Sequence, residues 1–328
     1  MTVIVPRLDW PVDLEPAYTS RAGLPCLRVA ANGSPPEAST EAEWGLNEVW
    51  ARLAQPLPLC GARAMRGAAS GRSLLAGELE SRVPWMAPLA DLIERECRLA
   101  LALGRPWLSL PPLLVLGPPG VGKTYAASLI ARLAGCGHDR LDLGGVSDNR
   151  TLEGTSRGWS TPRPSWPAIV INRSRSANPV LLVDELDKAG GSDKGGRPLD
   201  TLLAMIEPST ARCFPDRALD AEIDISQCSW LLCANTADVL PRPLLSRVEV
   251  IIAARPHRAH AEIAIDGVLG DLAADWGWPP NALPTLPAST RRVLADGLVA
   301  TGSMRLLRRQ LRAALATLLA DQGRGRMM

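Results

Sequence analysis

The run Gly117-Pro118-Pro119-Gly120-Val121-Gly122-Lys123-Thr124 follows directly on the apolar stretch Leu113-Leu114-Val115-Leu116, and no other junction constrains the fold as tightly. A buried strand feeds a glycine-rich turn, and a helix begins where the turn ends. Successive backbone N–H groups of such a turn point inward at an anion. Glycine lets the backbone approach phosphates where a Cβ would clash. Lys123 supplies a compact positive charge for the outer phosphates, and the Thr124 hydroxyl can ligate Mg²⁺. The following helix, expected over Tyr125–Leu133, places Ala126, Leu129, Ile130 and Leu133 on one face. The candidate ligand-binding residues are therefore Gly117, Pro118, Pro119, Gly120, Val121, Gly122, Lys123, Thr124 and Tyr125.

Composition sets few further limits. A chain of 328 residues with 46% hydrophobic and 21% charged residues can bury a good core. The net charge of +2 gives no bulk attraction to nucleic acid or to a membrane surface. Cations are almost all arginine, with lysine only at Lys123, Lys188 and Lys194. Retaining a lysine in the glycine-rich loop suits the strongly hydrated point charge needed there. Seven cysteines are scattered without a CxxC pair, and histidine occurs only at His138, His257 and His260, which argues against zinc. Such cysteines fit a reducing compartment. The first residues lack a basic segment followed by an apolar one, and no stretch has the length and apolarity of a membrane span. A cytoplasmic location is the resulting expectation.

Patterning predicts three parts: an extension over residues 1–80, an α/β core over 81–256, and a helical subdomain over 257–328. In the extension, six prolines before residue 37 suggest an irregular arm, structural or partner-binding. Thr40 and Glu43 can form a capping box for a helix carrying Leu46, Val49, Trp50 and Leu53, stopped at Pro56. Glycines through 57–80 suggest a linker. A helix is expected over Met86–Leu103. Further strands are expected at Arg140–Leu143, Val180–Val183, Trp230–Ala234 and Glu249–Ala253, separated by helical patterns as in a parallel sheet covered by helices. Helices are then expected over Ala259–Trp276, Ser289–Ala300 and Ser303–Ala320.

Four segments can complete the chemistry. Val180-Leu181-Leu182-Val183 delivers Asp184 and Glu185 at a strand's carboxyl end, where ligands bind in open parallel sheets. Asp184 would hold Mg²⁺ largely through water, and Glu185 would orient and activate an attacking water. Asn235 ends another buried strand and can reach a terminal phosphate. An arginine in the loop before the last strand, such as Arg247, can stabilise charge on a transferring phosphoryl group, and Arg305, at the start of the last helix, can touch the nucleotide and report on lid position.

In this order the segments resemble the AAA+ ATPases, and most of all the ATPase module of the Lon proteases. The likeness rests on GPPGVGKT at Gly117–Thr124, LGGVSD at Leu143–Asp148, NPVLLVDELDK at Asn178–Lys188, the Ile206-Glu207-Pro208 turn, and ANTADVLPRPLLSRVEVI at Ala234–Ile251. It covers roughly half of the chain. It implies a P-loop α/β core with a small helical lid, and ATP and Mg²⁺ as ligands. It assigns Asn235 to the first sensor, Arg247 to the finger inserted into a neighbouring subunit, and Arg305 to the second sensor. A finger acting in trans implies a ring of like subunits, usually six in this family. The substrate-gripping loop aligns with Gly154–Ser165 and offers Trp159 in place of the usual tyrosine.

Two departures from the family are expected, the lack of its amino-terminal substrate domain and of its peptidase. Lon peptidases need a serine–lysine dyad, and no lysine follows Lys194, so no such peptidase is expected here. The expected function is an ATP-hydrolysing, oligomeric remodelling motor acting on a protein. A nucleotide-gated assembly module with slow hydrolysis is the alternative. A DNA-linked ATPase, suggested by Arg291-Arg292 and the arginines from Arg305 to Arg312, is disfavoured by the near-neutral charge.

Overall fold

The computed structural model describes residues 18–21, 24–30, 34–67, 71–146, 148–190, 196–279 and 283–325. Lys194, Ser147 and most of the expected arm lie outside the described residues. The elements run in chain order as β1 (Tyr18–Arg21), β2 (Leu24–Leu27), α1 (Glu41–Leu53), β3 (Leu57–Pro58), α2 (Ala62–Met65), α3 (Leu74–Arg82) and α4 (Ala87–Ala102). Then come β4 (Leu113–Leu116), α5 (Lys123–Ala134), β5 (His138–Asp142), α6 (Arg150–Glu153), α7 (Trp166–Ser174) and β6 (Val180–Asp184). The core closes with α8 (Pro198–Ile206), α9 (Pro208–Ala211), β7 (Phe214–Asp216), β8 (Ala221–Ile223), β9 (Ser229–Ala234), α10 (Arg242–Leu245) and β10 (Glu249–Ile252). Three helices follow: α11 (Ala261–Asp275), α12 (Ala288–Thr301) and α13 (Met304–Gly325).

The apolar runs form one five-stranded sheet in the order β10-β4-β9-β6-β5, parallel at every junction. Its central strands are apolar on both faces because helices cover both. Leu113, Val115, Leu182, Leu231 and Cys233 face one core, shared with α3, α4, α5 and the three carboxyl-terminal helices. Leu114, Leu116, Leu181, Val183, Trp230 and Leu232 face the other, shared with α1, α7 and α8. The edge strand β5 alternates exposed and half-buried residues instead. Chain order is reversed between β4 and its two neighbours, so a crevice opens above the carboxyl ends of β4, β9 and β6.

Two expectations for the amino-terminal part are corrected. The arm is not irregular throughout: β1 pairs antiparallel with β2, and β2 with β3, in a separate small sheet. Leu27 and Val29 are almost fully buried. Prolines are compatible with such short strands, which use few backbone donors. Nor is 57–80 a linker. Gly61, Gly67 and Gly71 flank α2 and α3, Gly77 lies inside α3, and the Ser73 side chain caps that helix by accepting from Ala76 N. Leu75, Ala76 and Leu79 are buried in the core beneath the glycine-rich turn, and the expected boundary at 80/81 falls inside α3. The Thr40–Glu43 capping box is present.

One polar residue stitches this amino-terminal layer to the sheet. Asn178 is fully buried immediately before β6. Its Nδ2 donates to Cys60 O at 2.8 Å and to Leu108 O at 2.7 Å, while its Oδ1 accepts from Cys60 N at 2.7 Å and from Ser176 Oγ at 3.0 Å. A truncation there leaves several buried backbone groups unpaired. Asn178→Ala is expected to cost about 2–4 kcal/mol in urea unfolding; a loss below about 0.5 kcal/mol, the usual scale of surface changes, would contradict this role.

Candidate functional site

The glycine-rich turn holds a shape that side chains would spoil. Gly117, Gly120 and Gly122 have φ of +155°, +86° and +99°. A Cβ on Gly117 would lie 2.6 Å from Ala253 O, a backbone atom with little room to move. The turn wraps around its own lysine: Lys123 Nζ donates to Gly117 O at 2.7 Å, Pro118 O at 3.0 Å and Asn235 Oδ1 at 3.0 Å. All three acceptors are neutral oxygens, so a nearly buried ammonium sits in the cleft without a carboxylate bound to it. Burial pushes its pKa down, opposed by the nearby Asp184 and Asp187 carboxylates. An anion arriving here meets this cation and the amino-terminal end of the 12-residue helix α5.

The acidic side of the site comes from β6. Thr124 Oγ1 donates to Asp184 Oδ2 at 2.7 Å, and Glu185 N donates to Asp184 Oδ1 at 2.9 Å. A hydroxyl and a carboxylate side by side are the oxygen donors a hydrated Mg²⁺ takes up. Glu185 is in the left-handed region, with φ +54°, and its Oε1 accepts from Lys188 Nζ at 2.6 Å. Its other oxygen rests against Gly144, where a Cβ would come within 2.1 Å. Asn235 Nδ2 donates to Asp187 Oδ2 at 3.1 Å, and the buried Asp187 Oδ1 has no hydrogen-bond partner. The residues present thus fit a triphosphate with a divalent ion: an unmatched ammonium, a turn open to an anion, an oxygen pair for the metal, and an orphaned acceptor.

These groups line a cleft of about 540 Å³. Of the residues singled out from sequence, Pro119, Gly120, Gly122, Lys123, Thr124, Tyr125, Asp184, Glu185, Asn235 and Arg305 line it. Gly117 and Pro118 act through their carbonyls on Lys123, and Val121 is buried beneath, its carbonyl accepting from Trp85 Nε1 at 2.9 Å. Arg247 does not line the cleft: its Nε meets Glu207 Oε2 at 2.5 Å, and it is partly exposed. Trp159 also lies apart, 56% exposed in the turn of a loop. That loop is closed at its base by the Thr155–Arg163 bridge and by Thr155 Oγ1 donating to Thr161 O at 2.9 Å.

The sequence reading missed several cleft residues. Arg140 on β5 places Nη2 2.9 Å from Asp184 Oδ2. Arg82, Trp85, Asp271 and Arg308 line the far end. Burial raises the pKa of the Tyr125 phenol there, and Asp271 adds to the rise. The sequence signal for Arg140 was a cation in a polar, alternating strand, but only strand order puts β5 beside β6. The lid also touches the turn itself: Met304 N donates to Gly120 O at 2.7 Å.

Comparison with known proteins agrees with this geometry. The profile of the ATPase family associated with various cellular activities (AAA) matches residues 113–256. This segment is similar to an AAA ATPase module. Within it lie β4 to β10 and every cleft carboxylate except Asp271. The Lon protease of Nitrosococcus oceani is 38% identical over 164 residues, covering 50% of this chain and 21% of that protein. Lon protease 2 of Sorangium cellulosum is 40% identical over 141 residues, covering 43% and 17%. The chain thus spans about a fifth of the length of these curated relatives. Among solved structures, the Hsp104:casein complex of S. cerevisiae superposes with a TM-score of 0.63 at 17% identity, covering 86% of this chain and 52% of that one, which is a likeness of fold. No helix among the described residues is long and apolar enough to cross a membrane.

Proposed function

We propose that this AAA module binds ATP with Mg²⁺, hydrolyses the β–γ bond, and as a ring of like subunits converts the cycle into work on a protein. The observation that carries this reading is the convergence of Lys123, Thr124, Asp184, Glu185 and Asn235 in one cleft that the lid touches directly through Gly120 and Met304.

Each residue has a role its chemistry allows. Lys123 and the turn's N–H groups hold the outer phosphates. Thr124 and Asp184 would hold Mg²⁺, which supplies charge neutralisation on phosphoryl oxygens when bound. Glu185 takes a proton from the attacking water as the new P–O bond forms and the bond to the ADP oxygen breaks. Asn235 orients that water or the terminal phosphate. Arg305, at the first turn of α13, would touch the nucleotide and report on it to the lid. Arg247 stands away from its own chain's cleft and partly exposed, a position suited to a neighbour's site and hence to a ring, expected to be hexameric. Trp159, exposed on a closed loop, is suited to contact an unfolded chain. A protein substrate is also supported by the likeness to Hsp104 in its casein complex. The boundaries 1–80, 81–256 and 257–328 stay a working division, with part of the first built into the second, and a cytoplasmic location stays an expectation.

One observation favours the slower, assembly-module reading. The Lys188–Glu185 ion pair of 2.6 Å occupies the carboxylate that must accept the proton. Turnover separates the two. Glu185→Gln is expected to keep ATP binding and to abolish steady-state phosphate release; equal release by wild type and variant would remove Glu185 from the mechanism. Arg247→Ala is expected to lower turnover by about 10³-fold, as loss of an arginine finger does. Mixing it with Glu185→Gln should restore part of the activity, and no restoration in demonstrated mixed rings would refute action in trans.

A further inference from the structure

The carboxylate assigned to the metal already carries a cation. Asp184 is 8% exposed, and a carboxylate so buried must be compensated. Its Oδ2 takes a hydrogen bond from Thr124 and an ion pair from Arg140 Nη2 at 2.9 Å. The two donors proposed for the divalent ion are therefore bonded to each other, with a guanidinium beside them. Arg140 reaches this point from the neighbouring strand, where Asp142 stands opposite Asp184. The same Nη2 lies 3.7 Å from Asp142 Oδ2, so the guanidinium sits between two carboxylates. Asp142 is itself held in place, its Oδ1 accepting from Gly144 N at 2.9 Å.

We propose that Arg140 is a stand-in cation at Asp184, competing with the divalent ion for that carboxylate, and that Asp142 is the partner it moves to when the ion binds. The proposal rests on the reading that Thr124 and Asp184 hold the metal. A positive charge within about 4 Å of a divalent ion opposes it strongly unless it withdraws. Asp142 offers the short withdrawal: the side chain is half exposed and already within ion-pair reach of its second partner. In the metal-free state the guanidinium prevents Asp184 from standing as a buried, uncompensated charge. In the metal-bound state its transfer leaves both carboxylates paired. Arg140 is in this sense a positioning residue, setting how much metal and nucleotide assist each other.

The coupling between the two ligands is directly measurable, because each must change the other's affinity by the same factor. The probe is ADP, titrated calorimetrically in EDTA and again in saturating MnCl₂, with free Mn²⁺ followed by electron paramagnetic resonance. Arg140→Met is expected to raise the Mn²⁺-dependent gain in ADP affinity by about tenfold, by removing the competitor. Asp142→Asn is expected to shrink that gain several-fold, since it leaves Arg140 without its second carboxylate. ADP affinity in EDTA should change little in Asp142→Asn, which leaves the guanidinium on Asp184. An unchanged or smaller gain in Arg140→Met overturns the proposal. Weaker ADP binding in EDTA by Asp142→Asn also overturns it, by making Asp142 part of the nucleotide site rather than a second partner for Arg140. A wild type that binds ADP equally with and without Mn²⁺ overturns this proposal together with the metal reading, and is recognisable as such because it needs no variant.

Discussion

The hydrogen bond from Thr124 to Asp184, 2.7 Å long, closes the distance between two strands that do not touch. β4 and β6 are separated by β9 in the sheet, so the turn after β4 must lean across the end of β9 to reach the carboxylate at the end of β6. That lean brings Lys123 over Asn235 at the end of β9 and sets its ammonium among backbone carbonyls. Burying an ammonium and a carboxylate this deeply is tolerable only if each finds partners. The partners come from three different strands, which is why the site cannot form before the sheet does.

The same turn couples the cleft to the lid. Gly120 accepts from Met304 N, and a Cβ on Gly120 would meet Ser303 Oγ at 2.7 Å. The start of α13 therefore rests on the glycine-rich backbone, and Arg305 follows one residue later. On the other side of the cleft, Asp271 of α11 faces Tyr125 of α5 and Arg82 of α3. A ligand held in this cleft touches core and lid at once, so a change in its charge acts on both. The segment before residue 81 shares in this arrangement, since it holds most of α3, which packs in the core under the turn and ends at the cleft residue Arg82.

What the sequence made legible was local. The turn, its strand and its helix are contiguous, so glycine spacing and apolar runs suffice to place them, and the Asp184–Glu185 pair follows from a strand end in the same way. Non-local features escaped. The glycines of 57–80 suggest a linker, yet Ser73 caps a helix that buries Leu75, Ala76 and Leu79. Asn178 reads as a turn residue before a proline, yet it serves segments 70 and 118 residues away. Arg140 was visible as a strand residue, but its meaning depends on β5 lying beside β6. Arg247, paired with Glu207, and the exposed Trp159 stand outside the cleft, so its geometry gives neither a role there.

The central claim is that an adenine nucleotide with a divalent ion occupies the turn around Lys123. Calorimetric titration of ATP with MgCl₂ into the intact chain tests it most directly. The account predicts saturable binding at one site per chain, weakened about a hundredfold or more when Lys123 is replaced by methionine and its charge-assisted contacts are lost. An absence of saturable heat, or equal affinity in wild type and Lys123→Met, would contradict it.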